Sequence, residues 1–269
     1  MTQLYTCTIQ MVVLGPFLTA ATGPDKYGMD KSAHRDYKER LVIPSSHLKG
    51  KLRSSLEELA LFFDAEDSID LDTLLGKESA EGSYEPLPAT VGFSDLVSDS
   101  PAIEGARTRI TINHVSQTAQ QNMLREIEDP FASGAEIHFT GDVTFSAPDL
   151  SSATRIAGMI QVGLQWLATI GAEKGVGFGR LKSAKVSAPD EIHALAIPAF
   201  RGGPSVLHLK ISAKEPLLAG GIKSRRSNFV VSRKELSGGI IKGALAAALN
   251  EACGVTPVTG PLDSDFAAD

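Results

Sequence analysis

The chain of 269 residues contains the same pattern of strand, loop and helix twice. Apolar residues alternate with polar ones over residues 5–13 and again over 207–213, which is the period of a strand with one buried face. A helical pattern follows at residues 46–58 in the first copy and at 239–251 in the second. Such a repeat indicates one mixed domain of helices and strands, followed by the beginning of a second.

The first copy belongs to a longer series of elements. In chain order, we expect a strand over 5–13, a helix beginning at Ser45 or Ser46, strands at about 107–115 and 136–146, a helix from Asp149 or Ser151 to Gly171, and a strand over 180–186. The order β-α-β-β-α-β is that of a ferredoxin-like or RRM-like α+β domain.

Domain boundaries follow from this order and from the repeat. We expect the first domain to span residues 1–190, a linker to span 191–204, and a partial second domain to span 205–269. Residues 64–106 carry eleven acids and one lysine, with Gly and Pro between them, which predicts an irregular insertion. The polar segment between the two middle strands is expected to project as a hairpin or arm.

The charge distribution favours an anionic partner, although the net charge of −6 does not. Residues 30–53 hold seven Lys or Arg against three acids, and residues 222–242 hold six against one. Basic strips of this kind either bind an anion such as RNA phosphate or form solvated surface. Charge alone does not decide between the two interpretations.

Neither a disulfide framework nor a zinc site is expected. Cys7 and Cys253 are the only cysteines, and no Cys or His spacing typical of zinc sites accompanies them. Residues 1–5 lack the beginning of a signal peptide, and no apolar run is long enough to span a membrane. These features predict a cytoplasmic protein.

The start of the first helix has the chemistry of a phosphate site. Lys49 and Arg53 lie one helical turn apart on its polar side, and Lys51 lies beside them. The free N–H groups at a helix start add to the attraction for phosphate oxygens. An exposed, soluble helix face would have the same composition, so the lysines alone leave both interpretations open.

The surrounding sequence resembles a known family. The helix begins with Ile43-Pro44-Ser45-Ser46-His47-Leu48-Lys49-Gly50-Lys51-Leu52-Arg53. This segment resembles the signature Ile-Pro-Gly-Ser-x-Leu-Lys-Gly-x-Leu-Arg of the RAMP superfamily, in particular of the backbone subunits of type III CRISPR effector complexes of the Csm/Cmr type. The loop Gly175-Val176-Gly177-Phe178-Gly179-Arg180 looks like the Gly-rich loop of that domain, and residues 109–134 resemble its thumb-like hairpin. Two departures are Ser45 in place of Gly and Ser237 in place of the Pro expected in the repeat.

The resemblance implies that the protein binds a guide RNA, the crRNA. The first helix and the Gly-rich loop would hold the crRNA backbone, and the hairpin would wedge into the duplex of guide and target RNA. Further partners would be adjacent backbone RAMP subunits, a large polymerase-type subunit and a small subunit. The implied RNA contacts are Ser46, Lys49, Lys51, Arg53, Arg109, Asn113, His114, Gly177, Gly179, Arg180, Lys182, Arg225, Arg226 and Lys242.

The resemblance also implies a cleavage site in the loop after the first strand. In these backbone subunits, an aspartate of that loop supports metal-dependent cutting of the target RNA. Asp30 lies at about the family's spacing before the helix signature, which favours Asp30 over Asp25 as catalytic residue and as ligand of a divalent ion, expected to be Mg²⁺. His34 is a candidate general acid or base, and Asp36 fits a structural aspartate of the family.

Alternatives remain open at this point. Asp30 is also typical of an Asx-turn beside Gly28, and a purely structural crRNA-binding subunit needs no cleavage residue. A guide-processing endonuclease of the same superfamily would share the fold and the Gly-rich loop, although the Lys-Gly helix signature disfavours it. A dinucleotide site is disfavoured because the glycines at 175–179 precede a strand and not a helix.

Overall fold

A computed structural model describes residues 3–21, 28–62, 70–77, 87, 89–192, 210–211, 217–220 and 232–252. The chain divides into two compact units, one of residues 3–192 and one that combines residues 1–2 with 193–269. The elements of the first unit are β1 (Gln3–Leu14), β2 (Val42–Ile43), α1 (Ser45–Ala60), α2 (Leu71–Leu75), β3 (Val91–Phe93), β4 (Leu96–Ser98), β5 (Ala106–Ile112), β6 (Ala119–Glu128), β7 (Glu136–Ala147), α3 (Leu150–Trp166), β8 (Arg180–Val186) and β9 (Asp190–Glu191). The second unit contains α4 (Gly238–Ala252).

β1 is the centre of a seven-stranded sheet. Its alternating pattern places every second side chain from Tyr5 to Val13 in the core, each at most 1% exposed. β1 pairs antiparallel with β7 along its whole length and with β8 along its second half. The strand order is β2-β4-β7-β1-β8, with β3 also paired to β7 and β9 to β1.

α1 and α3 lie side by side and share the core with β1. α1 buries Leu48 and Leu52, and α3 buries Ile160 and Leu164. The helices approach closely at Gly163, where a Cβ atom would lie 2.6 Å from Leu52 Cδ1. A side chain at this position would push the two helices apart.

The predicted α+β fold is confirmed, and several elements lie where the sequence predicts them. The last strand of the expected order, 180–186, is β8. Asp149 is the N-cap of α3, as expected, because its side chain accepts a hydrogen bond from the backbone N of Ser152 at 2.7 Å. α3 ends at Trp166 instead of continuing to Gly171, since the backbone of Leu167 is extended.

The position of the second strand differs from the prediction. Instead of joining the main sheet over 107–115, β5 pairs with β6 in a separate two-stranded sheet. The place beside β7 is taken by β3 and β4, within the stretch predicted to be irregular. The prediction failed because β5 has the period of a half-buried strand in its sequence, although most of its side chains are exposed.

The cap of α1 also differs from the prediction. The helix begins at Ser45, but Pro44 is its N-cap and no serine side chain caps it. Instead, the carboxylate of Asp95, in the turn between β3 and β4, accepts a hydrogen bond from the backbone N of Ser45 at 2.7 Å. A cap that comes from a distant part of the chain leaves no local signal in the sequence.

The second unit contains the helix that the repeat predicts. α4 covers the expected range 239–251. Of the strand expected at 207–213, only Lys210 and Ile211 are among the described residues. In the described ranges, no helix is long and apolar enough to cross a membrane. The assignment of this unit as a partial second domain stays a prediction.

Candidate nucleic-acid interface

The first turn of α1 contacts the segment between α3 and β8. In this segment, residues 171–179 form the Gly-rich loop, which includes the glycines 175, 177 and 179 of the sequence motif. His47 connects them, because its Nε2 accepts a hydrogen bond from the backbone N of Gly171 at 3.2 Å. The loop is also bonded to the segment after β1, since the backbone N of Ala172 donates to the carbonyl of Leu18 at 2.7 Å. The start of α1 and the Gly-rich loop therefore form one surface.

Gly177 and Gly179 have different roles in this loop. Both have left-handed backbones, with φ angles of +89° and +67°. A Cβ atom at Gly179 would overlap the carbonyl oxygen of Ile170, so this buried glycine is required by packing. Gly177 is exposed, and no described atom lies within 4 Å of its Cβ position. Of these two predicted RNA contacts, Gly177 is the accessible one.

Lys51 of α1 and Lys174 of the Gly-rich loop bring two ammonium groups together. The interaction with Lys51 is the main cause that lowers the pKa of Lys174, and burial adds to it. Both residues are partly buried, and neither forms an ion pair with any residue that the structure describes. Burial also lowers the pKa of His47, and the two lysines add to this effect. A bound anion would offset this concentration of positive charge.

The other basic residues predicted on α1 differ in how far their charges are offset. Arg53 donates a hydrogen bond to Asp72 at 3.2 Å and another to the carbonyl of Gly76, so its guanidinium connects α1 to α2. Lys49 is partly buried and Ser46 is exposed, and no ion pair within the described ranges involves Lys49. Lys49 therefore adds to the charge of the lysine pair more directly than Arg53 does.

Asp30 is attached to β6 by two hydrogen bonds. Its backbone N donates to the carbonyl of Glu126, and its Oδ2 accepts from the backbone N of Glu126, both at 2.8 Å. Lys31 continues this contact through a parallel bridge to Ile127. Asp30 is exposed, and Oδ1 forms no hydrogen bond with a described residue. The Asp30 loop, residues 28–36, is therefore docked on the hairpin formed by β5 and β6.

A buried ion pair fixes the far side of the Asp30 loop. Glu128, which is 2% exposed, accepts hydrogen bonds from the backbone N of Ala33 at 2.7 Å and from Arg35 Nη2 at 2.6 Å. Asp36 binds Arg40, with 2.7 Å between Oδ2 and Nη2. Burial alone would raise the pKa of Asp36, but its hydrogen bonds outweigh burial and lower it. These contacts agree with the structural role predicted for Asp36.

One face of the hairpin carries arginines near the Gly-rich loop. Arg109 and Arg125 lie directly opposite each other on β5 and β6. Arg109 Nη1 lies 3.6 Å from the carboxylate of Glu173, and its guanidinium lies 5.7 Å from the ring centre of Phe178. The two arginines and Glu173 line a cavity of about 180 Å³. The hairpin base and the Gly-rich loop thus form a second, largely polar part of the interface.

The tip of the hairpin is exposed. Asn113 closes its turn, because Oδ1 accepts hydrogen bonds from the backbone N of Val115 at 2.8 Å and of Ser116 at 3.2 Å. The carbonyl of His114 accepts from the side-chain amide of Gln117 at 2.9 Å. Asn113 is therefore engaged in the turn, while His114 presents an exposed side chain.

Comparison with known families settles the relationship of the chain. The RAMP superfamily matches residues 11–182, which include the end of β1, both long helices of the first unit and the whole Gly-rich loop. The chain belongs to the RAMP superfamily. The resemblance carried by residues 43–53 and by the Gly-rich loop is thereby confirmed.

At least one solved structure is a distant match of this RAMP chain. No curated protein matches its sequence. Among solved structures, a chain in the cryo-EM structure of the type III-B Cmr-beta bound to cognate target RNA matches with a TM-score of 0.49 and 14% sequence identity. The match covers 69% of this RAMP chain and 61% of the other chain. The RAMP chain therefore matches about three fifths of the length of that protein.

The remaining predicted contacts of the RAMP chain belong neither to the lysine pair nor to the Asp30 loop. Lys182 forms an ion pair with Glu136, and Arg180 is exposed at the end of the Gly-rich loop. Lys242 is exposed on α4 of the second unit. Asp25, Arg225 and Arg226 lie outside the described residues. The roles of these residues remain predictions.

A divalent ion at Asp30 would take most of its ligands from RNA and water. In the described parts of the chain, no three His, Cys, Asp or Glu residues lie close enough together to hold a metal ion. Asp30 offers one exposed carboxylate, of which Oδ2 is bonded to Glu126. This donor set fits Mg²⁺ in the mode in which one carboxylate, waters and phosphates surround the ion.

His34 is held by its backbone, which donates to Thr19 at 2.7 Å, and its role in proton transfer remains a prediction.

Three residues of the RAMP interface were not predicted: His47, Glu173 and Lys174. Glu173 and Lys174 lie more than 110 residues from α1 in sequence, so only the fold brings Lys174 to Lys51. The sequence contains one indication of these two residues. Glu173 and Lys174 come directly before a run of glycines, and glycines let a backbone approach a ligand closely. His47 lies inside the family signature, but at its variable position.

Proposed function

We propose that this RAMP protein binds crRNA as a backbone subunit of a type III CRISPR effector complex. The observation that carries the proposal is the pair of Lys51 and Lys174, two partly buried cations without an acidic partner among the described residues. One RNA phosphodiester would offset both charges at once. Target RNA, adjacent backbone RAMP subunits, a large polymerase-type subunit and a small subunit are partners of the same proposal, in a cytoplasmic complex.

The surroundings of the lysine pair support a backbone contact with RNA. Lys49 adds a further positive charge on α1, and the exposed Gly177 leaves the backbone of the Gly-rich loop accessible. The N-terminus of α1 contributes less than expected, because Asp95 already accepts the Ser45 N–H. Lysine side chains therefore supply most of the attraction, which makes the proposed binding strongly dependent on salt.

Substitution of each lysine tests this assignment. Lys51→Gln and Lys174→Gln should each weaken binding of single-stranded RNA to the full chain, and should lower the slope of log K against log salt by about 0.7 per lost phosphate contact. Neither should lower the free energy of unfolding, because each removes a repulsion. Lys185→Gln removes an exposed lysine of β8 and is the control. Equal losses of affinity in all three variants, measured by fluorescence anisotropy, would contradict the assignment.

The second part of the proposal is that Asp30 supports cleavage of target RNA. Its Oδ1, which accepts no hydrogen bond from a described residue, can accept one from a ribose 2′-hydroxyl and orient that oxygen toward the adjacent phosphate. Mg²⁺ held by Asp30 and by RNA phosphates would offset the charge that develops on the phosphate. The support is geometric, because Asp30 is exposed and anchored at the base of the hairpin that is proposed to meet the guide and target duplex.

The anchoring hydrogen bond also favours a second candidate, a crRNA-binding subunit that does not cut. Two substitutions separate these functions. Asp30→Asn keeps an oxygen that can accept the Glu126 N–H but removes the charge, whereas Asp30→Ala removes both. If Asp30 acts in cleavage, both variants should slow target cutting by the assembled complex about a hundredfold or more. If the complex with Asp30→Asn assembles normally, as verified by gel filtration, and cuts target RNA at the normal rate, the cleavage role of Asp30 is wrong. The second candidate, a crRNA-binding subunit that does not cut, then remains.

A further inference from the structure

Glu173 is a residue of the Gly-rich loop whose carboxylate contacts the Asp30 loop and the hairpin. Its Oε1 accepts a hydrogen bond from the ammonium group of Lys31, and its Oε2 lies 3.6 Å from Arg109 Nη1. The side chain is 16% exposed, and its pKa is lowered, mainly by the bond from Lys31, so the carboxylate stays charged. Its backbone is left-handed, with a φ of 55°, which costs free energy in a residue with a side chain.

Two parts of the interface meet at this carboxylate. One part is the Asp30 loop together with the hairpin, which are joined by the hydrogen bonds between Asp30 and Glu126. The other is the Gly-rich loop together with α1, which are joined by the hydrogen bond between Gly171 and His47. Glu173 belongs to the second part by its backbone and to the first part by its ion pairs.

Glu173 also offsets charges that would otherwise repel each other. Arg109 and Arg125 face each other across the two hairpin strands, and like charges in this position destabilise a sheet. Lys31 adds a third positive charge beside the same carboxylate. Three cations around one acid leave a net positive charge, which is available to an RNA phosphate.

We infer that Glu173 is a positioning residue, which fixes the distance between the phosphate site at Lys51 and Lys174 and the carboxylate of Asp30. This inference rests on the proposed function, in which the first site holds RNA and the second cuts it. Glu173 and Lys174 are consecutive, so one dipeptide connects the two sites. The negative charge of Glu173 also repels RNA, so its contribution to positioning comes with weaker binding.

Removal of this single charge separates positioning from binding. Glu173→Gln keeps the shape of the side chain and one acceptor oxygen. Affinity of the full chain for single-stranded RNA should rise about two- to fivefold, as expected for one partly exposed charge. Hydrogen exchange of the backbone amides in residues 28–36 should become faster. Target cleavage by the assembled complex should fall about ten- to a hundredfold, because Asp30 is no longer held at a fixed distance from the bound RNA.

Glu58→Gln is the matched control. It removes one carboxylate charge at the other end of α1, where Glu58 accepts a hydrogen bond from Trp166 Nε1 at 3.0 Å. This variant should leave amide exchange in residues 28–36 and cleavage unchanged. The inference is wrong if Glu173→Gln weakens RNA binding and cleavage together, as a purely structural residue would, or if amide exchange in residues 28–36 does not change. If Asp30→Asn cuts normally, the cleavage proposal fails, and RNA affinity and amide exchange alone then decide the role of Glu173.

Discussion

Gly50 lies inside α1, exposed between Lys49 and Lys51, and its environment gives no structural reason for a glycine. No described atom lies within 4 Å of the position that its Cβ would occupy. Glycine inside a helix costs about 0.5–1 kcal/mol relative to alanine. The fold does not offset this cost. The proposed function gives a reason for the glycine, because the absence of a side chain would let an RNA backbone approach the helix between the two lysines.

This interpretation predicts opposite effects on stability and binding. Gly50→Ala should raise the free energy of unfolding by about 0.4–1 kcal/mol, because alanine favours the helix and restricts the unfolded chain. The same variant should bind single-stranded RNA more weakly. Gly158→Ala is the control, since Gly158 is exposed in α3 and equally free of neighbours among the described atoms. It should gain stability without a change in affinity. Urea unfolding and RNA titration measure both quantities, and unchanged binding by Gly50→Ala would remove the functional reason for the glycine.

At the scale of elements, a helix or strand was predictable from sequence where it has a long series of regularly spaced apolar residues. β1 has five alternating buried residues from Tyr5 to Val13, and the leucines of α1 recur at helical spacing, so both elements were found from sequence. β3 and β4 have three residues each, which is too short for a period to be recognised. Their place in the sheet was therefore given wrongly to β5, whose alternation reflects a projecting hairpin and not a buried face.

The same limit applies to the contacts between elements. The sequence predicted the Asp30 loop, the hairpin and the Gly-rich loop as separate features, and the structure describes all three. It did not predict that Asp30 would dock on Glu126, because Glu126 contributes only its backbone N–H and carbonyl to that contact, and every residue except proline carries both groups. Lys51 was identified through the family signature, whereas Lys174 was not, because their contact depends on the packing of α1 beside the Gly-rich loop.

At the scale of the whole first unit, an apolar core carries a surface network of charges. The core formed by β1, α1 and α3 positions three distant segments: the Asp30 loop, the hairpin and the Gly-rich loop. Glu126 connects the Asp30 loop to the hairpin, and Glu173 connects both to the Gly-rich loop. His47 connects the Gly-rich loop to α1. His47 and Glu173 are titratable groups in these contacts, so we expect the stability of the unit to depend on pH.

His47 is the group through which this link can be measured near neutral pH. Burial is the main cause that lowers its pKa, and repulsion by Lys51 and Lys174 adds to it, so the folded unit holds the neutral imidazole that accepts the Gly171 N–H. Below the ordinary value of about 6.5, the unfolded chain binds a proton that folded His47 does not bind. The free energy of unfolding should therefore fall as pH decreases through this range, by at most about 1.4 kcal/mol per pH unit for one proton.

His47→Gln should remove this contribution, because a glutamine oxygen can accept the Gly171 N–H without titrating. Urea unfolding between about pH 5.5 and 7.5 should give a flatter curve for this variant than for the parent chain. His114→Gln, at the exposed tip of the hairpin, is the control and should keep the parental slope. Carboxylates with lowered pKa values, such as Asp36 and Glu173, lose their contribution only as pH falls below about 4, outside this window. If the free energy of unfolding of His47→Gln depended on pH as steeply as that of the parent chain, another group would be responsible. Bound RNA should make this dependence weaker in the parent chain, because phosphate offsets the two lysines that disfavour a charged His47.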